Sequence, residues 1–331
     1  TLYYVLAAKS WWDGMLDFLG LRDDALPELM EPGEQVGHVS REASADCGLC
    51  SSTKVVTGAL DQVAGALASG NIAPGVVSET TGAALAICAT VASPIYDPKR
   101  AIPCHYHAIR DTYCLLPWCP TAGLVLKWFR DRFYQQKGFG PDIHDSYDTM
   151  AAEAATVPAG SDGLIALPHL AGSGSPEFDE RVKGVYYGIS LNHTRAHFVR
   201  SILESVAFML RHNLERLNEL GVSVGEIRSM GGGSRSRLWC QIKADVTGYP
   251  VIRARKEQSA ALGVAFLAGA AVGLVDPRQM APGGGWGHGT GEGAEEEGSD
   301  VFWPSENVRG VYDRMYEKYL EVYNRLLPTW T

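Results

Sequence analysis

Asp61 follows the short run of residues 54–60, rich in β-branched side chains, and precedes a stretch of small residues, 62–69, with helical character. A carboxylate just past a strand sits where α/β proteins gather their ligands. There it could take the proton of a hydroxyl that attacks phosphorus in line, the work of a general base. It could equally be a helix cap, a position that favours Asp whatever the chemistry. Downstream, Glu79-Thr80-Thr81-Gly82 sets two hydroxyls and a glycine between two strand-like runs. Such a turn can hold phosphate oxygens, or it can be a plain hairpin with polar turn residues. The third segment is Met230-Gly231-Gly232-Gly233-Ser234-Arg235-Ser236-Arg237, between a strand and a helix. Its glycines allow close backbone approach, and a helix N-terminus offers unpaired donors. It is not a P-loop, which needs G-x-x-x-x-G-K-S/T, nor a dinucleotide fingerprint, whose third Gly is replaced by Ser236. A nicotinamide-dependent reaction is disfavoured on that ground.

Cys47 and Cys50 form a C-x-x-C pair, and Cys104, His105 and His107 are close in sequence. There is no second C-x-x-C, so the spacing does not make a zinc or redox site, and no metal ligand is assigned. Seven cysteines in a chain of 331 residues do not suggest a disulfide framework.

The elements that must carry these residues read as α/β. Trp11, Trp12, Met15, Leu16, Phe18 and Leu19 have helical spacing, and Gly20 stops that helix. The small residues of 62–69 predict a helix packed closely against a neighbour. Residues 76–91 read as two strands around a tight turn, Ser-Glu-Thr-Thr-Gly, at 78–82. Further strands are expected at 113–116, 164–170, 226–230 and 251–254. Helices are expected at 123–136, 193–220, from 236, at 259–272 and at 308–327. Strands and helices alternate along the chain, which defines the class. A net charge of −9 argues against a nucleic-acid surface. No apolar run is long enough to span a membrane, and the N-terminus has no signal-like pattern, so a cytoplasmic protein is expected. Residues 281–300, rich in Gly and Glu, are expected to be a solvated loop.

Order and combination raise the value of the three segments. Gly184-Val185-Tyr186-Tyr187-Gly188-Ile189, seven residues, and then His197-Phe198-Val199-Arg200-Ser201-Ile202-Leu203-Glu204 resemble the C-terminal signature of the FGGY carbohydrate kinases. Residues 58–70 resemble that family's catalytic-base segment, 79–82 its second phosphate loop, and 231–241 with Ala244-Asp245 and Gly248 its adenosine-binding segment. The match runs from residue 1 to about 274 and resumes in the closing helix, with xylulokinase-like members the most similar.

The resemblance implies an actin-like, ribonuclease-H-type α/β fold of two lobes, with sugar and Mg-ATP in the cleft between them. It implies Asp61 as general base and Gln62 as a sugar contact. Thr80, Thr81 and Gly82 would meet the nucleotide phosphates, and Gly232, Gly233 and Arg237 would border the adenosine. Residues 1–57 would then end the first, sugar-binding lobe and 58–280 form the nucleotide lobe; a flexible loop, 281–303, and a closing helix, 304–331, complete the chain. The substrate would be a ketose such as xylulose, or a polyol; a homodimer is compatible with the family.

The family's first-lobe Asp-x-Gly-Thr phosphate loop has no counterpart in this sequence. The chain is therefore expected to be a fragment, or an inactive remnant that binds nucleotide without turnover. The family's usual Glu and Arg after the 164–170 strand are replaced by Gly172-Ser173-Gly174-Ser175-Pro176.

Overall fold

The computed structural model describes residues 3–134, 143–253, 260–276 and 300–330. The loop expected at 281–300 lies outside these residues except for Asp300. At the end of the region assigned to that loop, Val301–Phe302 is a strand instead, paired with Val251–Arg253.

The first 57 residues build two small antiparallel hairpins and two short helices. Strands β1 (Tyr4–Val5) and β2 (Ser10–Trp11) precede helix α1 (Asp13–Leu19), which Gly20 ends in a left-handed conformation. Strand β3 (Gln35–His38) pairs with β4 (Lys54–Val56) across helix α2 (Arg41–Cys47). Helix α2 was not expected; its start is fixed by Ser40, whose Oγ accepts the Ala43 N–H at 3.1 Å. Lys9 ties these residues to the stretch around Tyr106: its Nζ lies 3.2 Å from Glu31 Oε1, 2.9 Å from Tyr106 Oη and 2.5 Å from Asp111 Oδ1.

Helix α3 (Asp61–Ala68) leads into the hairpin of β5 (Gly75–Thr81) and β6 (Leu85–Val91). Next come β7 (Cys104–Tyr106), β8 (Tyr113–Leu115) and β9 (Trp118–Cys119), then helices α4 (Gly123–Phe133) and α5 (Ile143–Ala155). Strands β10 (Ile165–Leu167) and β11 (Val185–Tyr187) pair antiparallel ahead of the long helix α6 (Arg195–Glu219). Two strand–helix units come after α6: β12 (Val224–Met230) with α7 (Arg237–Thr247), and β13 (Val251–Arg253) with α8 (Ala260–Ala271). The strand β14 (Val301–Phe302) and helix α9 (Glu306–Leu326) complete the described chain.

The main sheet has the order β14-β13-β12-β5-β6-β8-β7, with β9 also on β6. Strands β5, β12 and β13 are parallel, and β6 runs against β5 and β8. That mixed order, a hairpin and third strand with two parallel crossovers after them, is the ribonuclease-H-type arrangement expected of the second lobe. Both sheet faces are covered. Val77, Leu85 and Ile87 join the core under α6, α7 and α9, whereas Cys88, Cys114 and Leu116 face α3 and α8. Alternate residues of β6 thus point to opposite layers, as the pleat requires.

The small residues of α3 do what their type predicts. Val63, Ala64, Ala66 and Leu67 are fully buried, and α8 approaches so closely that a Cβ on Gly263 would lie 1.9 Å from Ala64 O.

The end of the long signature, residues 199–204, turns out to be core. Arg200 Nε donates to Glu204 Oε1 at 2.9 Å, Ser161 Oγ donates to Glu204 Oε2 at 2.8 Å, and the Gly160 N–H donates to Oε1 at 2.9 Å. Arg200 also donates to Tyr312 Oη at 2.7 Å, so the pair pins α9 to α6. Burial pushes the Glu204 carboxyl above the usual carboxylate range, and Arg200 works against that push. Glu204→Ala strands a buried guanidinium. It is expected to cost about 3–5 kcal/mol of stability, read from urea unfolding.

Candidate functional site

Residues 80–82 and 231–233 meet at one edge of the sheet. Thr80 stands opposite Met230 in the register of β5 and β12, so both strands end side by side. The turn after β5 lies later than the 78–82 expected: Ser78, Glu79, Thr80 and Thr81 are strand, and Gly82, Ala83 and Ala84 make the connection. The β-branched pair stays extended because β5 has a hydrogen-bonded neighbour on each side. Helix α4 holds the turn from below. The Ala122 N–H donates to Ala83 O at 2.8 Å and the Gly123 N–H to Gly82 O at 2.9 Å.

Gly231 has φ +76, and a Cβ there would lie 2.9 Å from Thr81 O. A Cβ on Gly233 would meet the Thr81 side chain at 2.7 Å. A side chain at either position would separate the two segments, which is the physical reason for glycine. Gly232 differs: its Cβ would meet nothing within 4 Å, and its backbone is open to solvent. Gly233→Ala is therefore expected to cost about 1–3 kcal/mol of stability, and Gly232→Ala less than about 0.5 kcal/mol; chemical denaturation of the two variants checks this difference.

Ser236 caps α7, its Oγ accepting the Trp239 N–H at 3.3 Å. Arg237 is exposed. Its guanidinium reaches Asp300 Oδ2 at 2.8 Å and lies 5.3 Å from the centre of the Phe302 ring. Asp300 also pairs with Arg253.

Asp61 is the first residue of α3 and is exposed, with Gln62 beside it. The preceding residue, Leu60, occupies the cap position. Asp61 Oδ1 accepts the Gln62 N–H at 2.8 Å, so the carboxylate occupies one of the helix's unpaired donors without being the cap residue. Gly65, one turn along, faces the Met230 side chain, whose Cε would lie 3.9 Å from a Cβ there. Asp61 stands about 6 Å from Gly65 along the helix axis.

A buried charge cluster lies behind this edge. Lys243 Nζ is 2.5 Å from Glu79 Oε1, and neither side chain has any exposed surface. Thr81 Oγ1 donates to Glu79 Oε2 at 2.7 Å, Lys243 donates to Thr81 Oγ1 at 2.9 Å, and Ser229 Oγ donates to Glu79. Sequence reading placed Glu79 in a tight turn and passed over Lys243. The available signal was a lysine on the same helical face as Trp239 and Val246, positions that are both buried.

The C-x-x-C cysteines are exposed free thiols, Cys47 at the end of α2 and Cys50 with its Sγ 3.0 Å from Ser52 Oγ. Among the described residues no group of three or more His, Cys, Asp or Glu could hold a metal ion, and no helix is long and apolar enough to cross a membrane. Gly172-Ser173-Gly174-Ser175 packs against β9: Ser175 Oγ accepts the Trp118 N–H at 3.1 Å, and Asn213 donates to Ser175 O at 3.0 Å.

A mixed sheet of this topology, with helices on both faces, defines an actin-like ATPase fold. The model of the FGGY family of carbohydrate kinases, C-terminal domain, matches residues 81–272, and that of the N-terminal domain matches residues 1–68. The chain belongs to the FGGY family of carbohydrate kinases.

The chain is 28% identical over 325 residues to the xylulose kinase of Bacillus subtilis, covering 98% of this chain and 61% of that protein. It is 32% identical over 285 residues to an autoinducer-2 kinase of Yersinia enterocolitica, covering 82% of this chain and 52% of that one. The crystal structure of xylulose kinase from Rhodospirillum rubrum superposes with a TM-score of 0.81 at 29% identity, over 98% of this chain and 62% of that chain. The chain therefore spans about three fifths of the length of the xylulose kinases it matches.

Proposed function

We propose that this chain supplies the nucleotide lobe and the catalytic base of an ATP-dependent sugar kinase, acting on a ketose such as xylulose or on a polyol. Residues 1–57 end the sugar-binding lobe in this reading. The carrying observation is the abutment of Thr81 on Gly231 and Gly233, with Asp61 at the head of the helix whose Gly65 faces Met230. Polyphosphate lies at the end of β5, by Thr80, Thr81 and Gly82, and adenosine lies along Gly232, Gly233 and Arg237. Magnesium arrives on the nucleotide as Mg-ATP and balances phosphate charge.

Gln62 contacts the sugar, and Asp61 takes the proton of its attacking hydroxyl. That oxygen bonds to the γ-phosphorus as the bond to the bridging oxygen breaks, and ADP leaves with the electron pair. Kinases acting on xylulose and on autoinducer-2 among the relatives support a small polyhydroxylated substrate.

A panel of ketoses and polyols, with ATP consumption by the full-length protein as readout, tests the reading. Sugar-dependent ADP release is expected. Nucleotide binding without ADP release for any of them would instead favour a binding protein that has lost turnover.

A further inference from the structure

Strand β5 sends Thr80 and Thr81 to opposite faces of the sheet, and the charge cluster makes the pair unequal. Val77, on the Thr81 side, packs in the layer that contains α7. Ser78, on the Thr80 side, bonds Asn71 at 3.1 Å, just beyond α3. The hydroxyl of Thr81 has one hydrogen, and it goes to Glu79 Oε2 at 2.7 Å; its oxygen receives Lys243 Nζ at 2.9 Å. Nothing remains on that hydroxyl to donate to an acceptor-only phosphate oxygen. Thr80 is the half-buried member and lies on the face of α3, whose first residue is Asp61.

We propose that Lys243, through Glu79, is a positioning residue: it locks Thr81 against the α7 layer, so that Thr80 and the turn at Gly82 present their donors to the nucleotide phosphates. The same lock ties α7, at whose N-terminus the glycine loop lies, to the strand that bears the phosphate turn. Thr81 thus braces the site from behind. The inference rests on the nucleotide reading under Proposed function and assigns roles within it.

The burial itself supports a positioning role. A fully buried ion pair is weak evidence of added stability, since an apolar pair of equal volume often does as well. What this pair does provide is direction: four oxygens and one ammonium in a single mutual arrangement.

Lys243→Met alone leaves Glu79 buried and unpaired, so the decisive protein is E79Q/K243M, in which both charges are gone. Mg-ATP affinity is measured by isothermal titration and adenosine affinity by ligand-observed NMR, with a thermal melt of each protein. The expected result is a loss of about tenfold or more for Mg-ATP, with adenosine unchanged and the melt still cooperative. Equal losses for both ligands would mean a purely structural pair and would overturn the proposal, as would Mg-ATP affinity within twofold of the unmodified chain. If the unmodified chain binds adenosine but gains nothing from the phosphates, the phosphate-site reading itself falls, and this inference with it.

Discussion

Asp61→Asn is expected to lower ATP-dependent sugar phosphorylation by the full-length protein about 10²–10⁴-fold, the range of a positioned general base. The substitution suits the question because Asn keeps the size of Asp and its oxygen can still accept the Gln62 N–H, which Asp61 accepts at 2.8 Å. The start of α3 therefore survives, and what disappears is the group that receives the sugar hydroxyl's proton. ATP affinity should stay within twofold, because the phosphates and adenosine lie on the β5 turn and the glycine loop. Steady-state kinetics separate these effects: kcat falls, and KM for ATP holds. Normal turnover in the Asn variant would remove Asp61 from the chemistry and return it to its structural role at the head of a helix.

Gly263→Ala is expected to act on the same residue from a distance. One methyl on α8 would have to occupy a point 1.9 Å from Ala64 O, far inside van der Waals contact with a backbone atom that cannot rotate away. The two helices must part, at a cost of at least about 2 kcal/mol, in the range of overpacked cores. Helix α3 shifts as a unit, and its first residue is Asp61. A displacement of about 1 Å at a catalytic group can lower turnover by about 10²-fold. Stability in urea and kcat should therefore fall together in this variant. Gly269→Ala provides the control: it lies on the same helix, and a Cβ there would meet a Val275 methyl at 3.0 Å, with no backbone atom among its near contacts. Its effect on kcat should be small. Full activity in Gly263→Ala would show that α8 does not set the position of Asp61.

The legible parts of this protein were those in which local pattern and tertiary role agree. The alanines and glycine of 62–68 announced a tightly packed helix, and Gly263 shows how tight. The strand–glycine–helix order at 226–237 placed the open loop correctly, although glycine spacing alone could not name its ligand. Failures came where neighbours decide. Thr80 and Thr81 look like turn residues in isolation, yet pairing with β6 and β12 keeps them extended and moves the turn to Gly82-Ala83-Ala84. Val301–Phe302 comes after a Gly/Glu-rich run and becomes a strand because β13 offers it an edge.

Polar residues inside cores were the hardest to read. Arg200 and Glu204 belong to the signature that revealed the family, but their geometry shows a brace for α9 and for Gly160-Ser161. Lys243 gave no local sign of its partner, because Glu79 is 164 residues away in the chain.

The edge formed by Thr80–Gly82 and Gly231–Gly233 stands or falls as an ATP site. Titration of this chain with Mg-ATP and with NAD, monitored by tryptophan fluorescence, tests it directly, since Trp239 lies on α7 close behind the glycine loop. Saturable binding of Mg-ATP, displaced by ADP and tighter than that of NAD, is the predicted result. Tighter binding of NAD than of ATP would contradict the kinase reading.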